Sequence, residues 1–245
     1  MKSIKYTLLL FILFGFNTSD FKSQQLKYKR VRSAYAKKGS MVAEKLKALD
    51  IQKLEIYIRV FKNDDVLELW GKDRSKKKFT LIKSFEICST SGKLGPKRKQ
   101  GDYQVPEGFY HIDRFNPWSN FHLSLGINYP NKSDRILGVK EKLGGDIFIH
   151  GACVTIGCVP ITDDKIKELY IYCVEAKNDG QKTIPVSIFP TKLTKNNMIA
   201  LKNSYANDSE KLNLWSDLKD GFDSFNESKT LPSISFLANG RYMVK

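Results

Sequence analysis

Apolar and polar positions alternate strictly after Asp50. Leu54, Ile56, Ile58 and Val60 interleave with Glu55, Tyr57, Arg59 and Phe61, a period of two that predicts a half-buried strand. Asn63-Asp64-Asp65 then supplies a turn into an apolar run from Val66 to Trp70, so the pair reads as a hairpin. A third strand spans residues 79–88, with Phe79, Leu81, Phe85 and Ile87 on one face. Pro106 and Gly108 set a turn before a further strand, and short apolar strands follow at 146–150 and 185–190. The period changes to that of a helix in three places. Residues 26–48 are rich in helix formers, with Val31, Tyr35, Val42, Leu46 and Leu49 as a broken apolar stripe. Thr162 caps a helix that carries Ile166, Leu169, Cys173 and Val174 as far as Asn178-Asp179-Gly180, and Asp163 and Asp164 suit the positive end of its dipole. Residues 209–222 place Leu212, Trp215, Leu218 and Phe222 on one face, before a last strand near 234–237 or 241–244. Residues 116–142 read as a loop, long enough to suggest a substrate-facing flap. The pattern predicts a mainly β domain with flanking helices, without an internal repeat or low-complexity linker.

Length and composition fit that picture. At 245 residues, 41% hydrophobic and 27% charged, the chain suffices for one substantial domain with appendages. Its start reads as a secretory signal over residues 1–23. Lys2 and Lys5 precede an apolar core of 11 residues from Tyr6 to Phe16, shorter than the roughly 18 apolar residues expected of a membrane span. The parts are therefore a signal at 1–23, a basic helical lead-in at 24–52, a main sheet domain at 53–190 and a helical and strand extension at 191–245 packed on it. A net charge of +15 would raise nucleic acid as a partner of a cytosolic protein; export removes it. The basic clusters Lys27, Lys29, Arg30, Arg32, Lys37, Lys38 and Lys93, Lys97, Arg98, Lys99 suit an anionic envelope surface, or simply a solvated face.

Candidate chemistry lies between residues 147 and 161. An apolar strand ends on His150, Gly151 follows, and Cys158 comes eight residues after the histidine, behind Gly157. A cysteine attacks as its thiolate, so an imidazole that takes its proton is the minimum apparatus for acyl transfer. Gly151 keeps the space beside the imidazole clear. Gly157 permits a tight turn that leaves its own amide and that of Cys158 free for a developing oxyanion, with Thr155 adding a hydroxyl. The rival chemistry is a metal held by His150, Cys153 and Cys158, but the spacing lacks a CxxC pair. Four cysteines in an exported protein suggest disulfides; with Cys158 kept free at most one permanent bridge remains. Cys88 and Cys173 read as buried small hydrophobes, and a reversible Cys153–Cys158 pairing ranks below burial of Cys153. His111 and His122 read as structural or solvent-exposed.

These motifs resemble the L,D-transpeptidases of the YkuD type, whose strand-end histidine precedes a Ser/Thr-x-Gly-Cys segment, as in His150-Gly151 and Thr155-Ile-Gly157-Cys158. Val105-Pro106-Glu107-Gly108-Phe109-Tyr110 is similar to the family's Thr-Pro-x-Gly-x-Phe/Tyr turn. The YafK-like murein transpeptidase subgroup is approached by Ser91-Gly-Lys-Leu-Gly-Pro96, Gly101-Asp102, Asn116-Pro117, Thr162-Asp163 and the tail from Leu214 to Asp223. The resemblance implies a β-sandwich-like catalytic domain with an active-site flap and N- and C-terminal helical segments, Cys158 as nucleophile and His150 as base and later acid. It also implies an oxyanion hole at Gly157 and Cys158, with Thr155 and Gly151 in support, and neither metal nor organic cofactor. Peptidoglycan stem peptides are the implied substrates, with envelope proteins as acyl acceptors or linked substrates, in the periplasm or cell envelope. Many family members carry an arginine two places after the cysteine, where this chain has Pro160. Arg98 or Lys97, with Tyr110, are the expected substrate-binding residues instead. Cross-linking or protein attachment is the expected reaction, hydrolysis of protein–peptidoglycan or stem-peptide links the alternative, and a non-catalytic envelope-binding module the reading of another class.

Overall fold

The alternating segment forms β1 (Leu54–Phe61), which turns through a short 3-10 helix into β2 (Val66–Asp73) in register from Leu54↔Asp73 to Phe61↔Val66. This computed structural model describes residues 20–245, so the signal-like segment as far as residue 19 lies outside the described residues. β3 (Thr80–Glu86), β4 (Gly108–Asn116), β5 (Ser124–Ile127), β6 (Phe148–His150), β7 (Val159–Pro160) and β8 (Pro185–Phe189) complete a mixed sheet ordered β3-β2-β1-β8-β4-β5-β6-β7. β4 changes partner midway. Its residues from Gly108 to His111 pair with β8, and those from Ile112 to Asn116 pair with β5 across an irregularity between Ile112 and Arg114. The sheet then folds back until its outermost strands meet: the amide of Cys88, just past β3, donates to the carbonyl of Pro160 in β7 at 3.0 Å.

Helices α1 (Phe21–Gln25), α2 (Lys29–Ala48) and α4 (Asp163–Asn178) cover one side of this sheet, where Leu54, Ile56, Ile58 and Val60 pack with Ile166, Leu169 and Val174. Strict alternation predicts a wet opposite face for β1, yet Tyr57, Arg59 and Phe61 are buried too. The reason is α6 (Ser209–Ser228), which lays Phe225 on Tyr57 at 4.9 Å and Phe222 on Phe61 at 6.1 Å. Arg59, 2% exposed, sits over Phe61, Phe222 and Phe225 and donates to Asn226 at 2.9 Å. A charge among aromatic faces retains favourable contacts that a bare apolar pocket would deny it.

The sheet with helices on both sides is the architecture that the family resemblance implies. Three details differ from the sequence reading. Residues 116–142 are not loop throughout, since they hold β5 and α3 (Lys132–Leu137), the latter started by a capping box between Asn131 and Asp134. Residues 191–208 contain α5 (Lys195–Ser204), capped by Thr194. At the tail both candidate segments are strands, β9 (Ile234–Phe236) and β10 (Tyr242–Val244), paired with each other. β5, α3, β9 and β10, of three to six residues, are too short for a period to show.

Candidate active site

The parallel register of β6 with β7 aligns Ile149 with Val159 and His150 with Pro160. Cys158 stands in the bend just before β7, two residues from Pro160, the partner of His150. The loop between them is fastened from three directions. The Ala152 amide donates to Asp163 Oδ1 at 2.8 Å, at the start of α4. The Gly151 amide donates to the carbonyls of Phe121 and Leu123. Cys153 forms a disulfide with Cys88. Gly151 has a steric reason to be glycine, because a Cβ there would lie 2.5 Å from Asp163 Oδ1 and 2.7 Å from the Phe121 carbonyl.

His150 is 1% exposed, and its Nδ1 lies 2.5 Å from the Gly151 carbonyl. A carbonyl only accepts, so Nδ1 carries the proton and Nε2 keeps the lone pair of a base. Burial pushes the imidazole below its ordinary value, against the raising effect of that hydrogen bond. Cys158 is half-buried, with Sγ 3.7 Å from the Asp146 carbonyl. Burial pushes its thiol up, and Asp146 adds to this, while the Phe148 amide and Lys97 pull it down. Both shifts favour a neutral thiol beside a neutral imidazole at rest. Among the described residues no hydrogen bond joins them, as is common before substrate tightens a catalytic pair.

The amides of Gly157 and Cys158 are not free as the sequence reading expects. Both donate to Thr155 Oγ1, at 3.1 and 2.8 Å, and that hydroxyl donates to the Cys158 carbonyl at 2.8 Å. A threonine two and three residues upstream closes such a turn on its own backbone. The two N–H groups nonetheless converge on one oxygen, the arrangement that an oxyanion requires of its donors.

A cleft of about 310 Å³ opens beside Cys158, lined by Lys97, Tyr103, Asp146, Ile147, Ile156 and the cysteine itself. Of the expected substrate-binding residues only Lys97 reaches it. Its ammonium donates to Asp102 Oδ1 at 2.6 Å and to the Lys99 carbonyl at 2.9 Å, which uses two of its three protons. Arg98 turns the other way, to Glu210 on α6 at 2.6 Å and to Asp134 on α3 at 3.4 Å. Tyr110 is buried and donates to Asp134 Oδ2 at 3.0 Å. Neighbouring residues of an extended loop point in opposite directions, so Lys97 and Arg98 cannot share one cleft. The loop is set by a buried hub behind it, where Glu107 accepts from Lys62 at 2.9 Å, from the Gly95 amide at 2.8 Å and from the Trp215 indole at 2.6 Å.

The cysteine reading also needs correction. Cys88 and Cys153 are neither deeply buried nor single, since they pair with each other. The bridge removes Cys153 both as a partner for Cys158 and as a metal ligand. Cys173 is buried in α4. His111 lies away from the cleft, beside the C-terminal hairpin. His122 sits against Gly151 with its Nε2 buried and unpartnered among the described residues. Sequence reasoning missed Phe121, Asp146 and Arg30, which no motif marks.

The site thus sets His150, at the end of β6, and Cys158, just before β7, on adjacent strands of a folded-back mixed sheet. Over residues 55–188 the sequence matches YkuD, the L,D-transpeptidase catalytic domain, and the chain belongs to that family. The family acts on peptidoglycan stem peptides. The chain is 37% identical over 191 residues, 77% of its length and 73% of the relative's, to YafK of Escherichia coli K12, whose name marks it provisionally as an L,D-transpeptidase; the YafK of strain O157:H7 matches equally. Among solved structures, the helical cell shape determining protein Pgp2 of Campylobacter jejuni is 19% identical, covering 76% of this chain and 74% of its own, with a TM-score of 0.46. Bd1075 of Bdellovibrio bacteriovorus is 20% identical, covering 74% and 76%, with a TM-score of 0.41.

Proposed function

We propose that this chain is an exported cysteine acyl-transferase of peptidoglycan, with Cys158 as nucleophile and His150 as base. The observation that supports the reading is the parallel pairing of β6 with β7, which aligns His150 with Pro160, two residues after Cys158, while the Gly151 carbonyl holds the His150 Nδ1 proton. In the first half-reaction Nε2 takes the thiol proton while Sγ bonds to the carbonyl carbon of the third stem residue. The tetrahedral oxyanion replaces Thr155 Oγ1 on the amides of Gly157 and Cys158. Collapse breaks the bond to the fourth residue, D-alanine, whose amine leaves with the proton from Nε2, and a thioester remains. An acceptor amine then gives up its proton to Nε2, attacks the thioester and releases the thiol. No step calls for a metal or cofactor.

The acceptor decides the outcome, since cross-linking, protein attachment and hydrolysis share one acyl-enzyme. Purified protein is incubated with tetrapeptide muropeptides and, separately, with protein-linked muropeptides, and the products are read by mass spectrometry. Cross-linked dimers are expected. Freed protein instead makes it an amidase, and no product from either substrate favours a binding module. Export predicts that protein from the envelope fraction starts after Ser19 or Ser23, which its N-terminal peptide mass checks; a start at Asp20 keeps α1 whole.

With Pro160 where relatives have arginine, Lys97 is the cation beside Cys158 that suits a substrate carboxylate. A hydrogen bond to a charged group contributes roughly 1.5–3 kcal/mol, so Lys97→Met is expected to raise KM by about ten- to a hundredfold. An unchanged KM would exclude that role. Arg98→Ala, outside the cleft, is expected to leave KM within about threefold.

A further inference from the structure

We propose that Phe121 is a positioning residue for His150, stacked on its imidazole so that the ring is held in plane and favoured as imidazolium, and that Arg30 of the lead-in helix fixes Phe121 there. The inference rests on reading His150 as the base. The two rings lie 4.7 Å apart at 29°. His150 is almost wholly buried, whereas Phe121 is 41% exposed, so an aromatic face that gains little from burial is spent as a lid over the base. Without a carboxylate on its Nδ1, the imidazole has, among the described residues, only the Gly151 carbonyl as a hydrogen-bond partner to stabilise the charge it acquires in each half-reaction. The electron-rich face of the Phe121 ring is a second group that can do so.

The loop that presents Phe121 is tied at both ends. Its carbonyl accepts from Gly151, the residue after the base, at 3.1 Å, and its amide donates to Ser119 Oγ at 3.1 Å. Arg30 on α2 then donates to the carbonyls on either side, Ser119 at 2.5 Å and His122 at 2.7 Å. His122 adopts φ +70°, a conformation that persists in a residue with a Cβ only where its surroundings impose it. One guanidinium nitrogen, Arg30 Nη1, makes both contacts and so ties the two carbonyls together. The basic lead-in thus reaches the reacting pair through a single loop.

Other charges approach this region from two helices: Arg30 and Lys37 on α2 and Asp163 and Lys167 on α4 act on His122 in the loop. Asp146 and Lys97 act on Cys158 from the cleft side. Among the described residues none of them hydrogen-bonds or ion-pairs with the His150 ring, so a change at Phe121 reads on that ring directly.

The test is an NMR titration of the three imidazoles in the full protein, assigned by replacing His111 and His122 in turn, alongside the pH dependence of kcat. Phe121→Leu keeps apolar bulk and removes the π face. It is expected to weaken proton binding by His150 about tenfold and to lower kcat by a similar factor, with KM within about threefold. Phe121→Trp restores both. Arg30→Met removes both donated bonds and shifts the titration in the direction of Phe121→Leu. Because Phe121 is half exposed, unchanged melting temperatures exclude a folding defect. A His150 titration unmoved in Phe121→Leu overturns the proposal. Wild-type protein inactive on every muropeptide counts against the proposed function and leaves the titration to decide this inference.

Discussion

Cys158→Ala is expected to form no acyl-enzyme and to lower turnover on tetrapeptide muropeptides by roughly 10³-fold or more, the scale of loss when one member of a nucleophile–base unit is removed. The measurement is the intact mass of the protein after incubation with substrate or with a carbapenem-type β-lactam. The wild-type chain gains one adduct, and the variant gains none. The other cysteines do not substitute, because Cys88 and Cys153 are joined and Cys173 is buried with its thiol pushed far up. His150→Ala is expected to lose nearly as much, and the double variant little more than either single one, since the two act as a unit. Full activity in Cys158→Ala would end the nucleophile assignment whatever the family.

Removal of the Cys88–Cys153 bridge is expected to cost about 4 kcal/mol of stability, because it closes a loop of 65 residues and loop entropy rises with the logarithm of length. The pair joins the end of β3 to the catalytic loop, at the point where the outermost strands of the sheet meet. Its loss therefore frees both the sheet closure and residues 151–158. Denaturant midpoints of the Cys88→Ser, Cys153→Ser double variant against the wild-type chain check the stability, and kcat below the unfolding transition checks the loop. A loss under about 1 kcal/mol would show that the hydrogen bonds to Asp163 and Phe121 suffice to hold it. The bridge has a chemical consequence as well. In an oxidising compartment a free Cys153 would compete for Cys158, five residues away, and pairing it with Cys88 leaves the nucleophile available.

Much of the scaffold was legible because its long elements repeat a period. Residues 54–61 alternate, and residues 163–178 return apolar side chains at helical spacing behind Thr162 and two carboxylates; the structure places β1 and α4 there. β5 and α3 escaped because four and six residues hold too few repeats to separate from loop. The buried second face of β1 escaped for another reason: Tyr57, Arg59 and Phe61 look amphipathic beside Leu54 and Ile56, and nothing local says that α6, some 150 residues on, will cover them. In the candidate site, the strand that ends on His150 was legible because strand end, glycine and spacing are all local. Lys97 and Arg98 were indistinguishable as charges; the direction each takes depends on Glu210, Asp134 and Asp102. The amides of Gly157 and Cys158 were expected to be open, and a hydroxyl three residues away holds both.

By itself the sequence determined what is covalent and local: which segments favour strand or helix, which residues can act as base and nucleophile, and which family they resemble. The tertiary structure alone decided which cysteine pairs with which, which cation faces the cleft, and that Phe121 stacks on His150 in a loop tied to Arg30. Those choices depend on contacts between residues far apart in the chain, whose energies exist only once the sheet has folded back and brought β3, β7 and the lead-in helix around one loop.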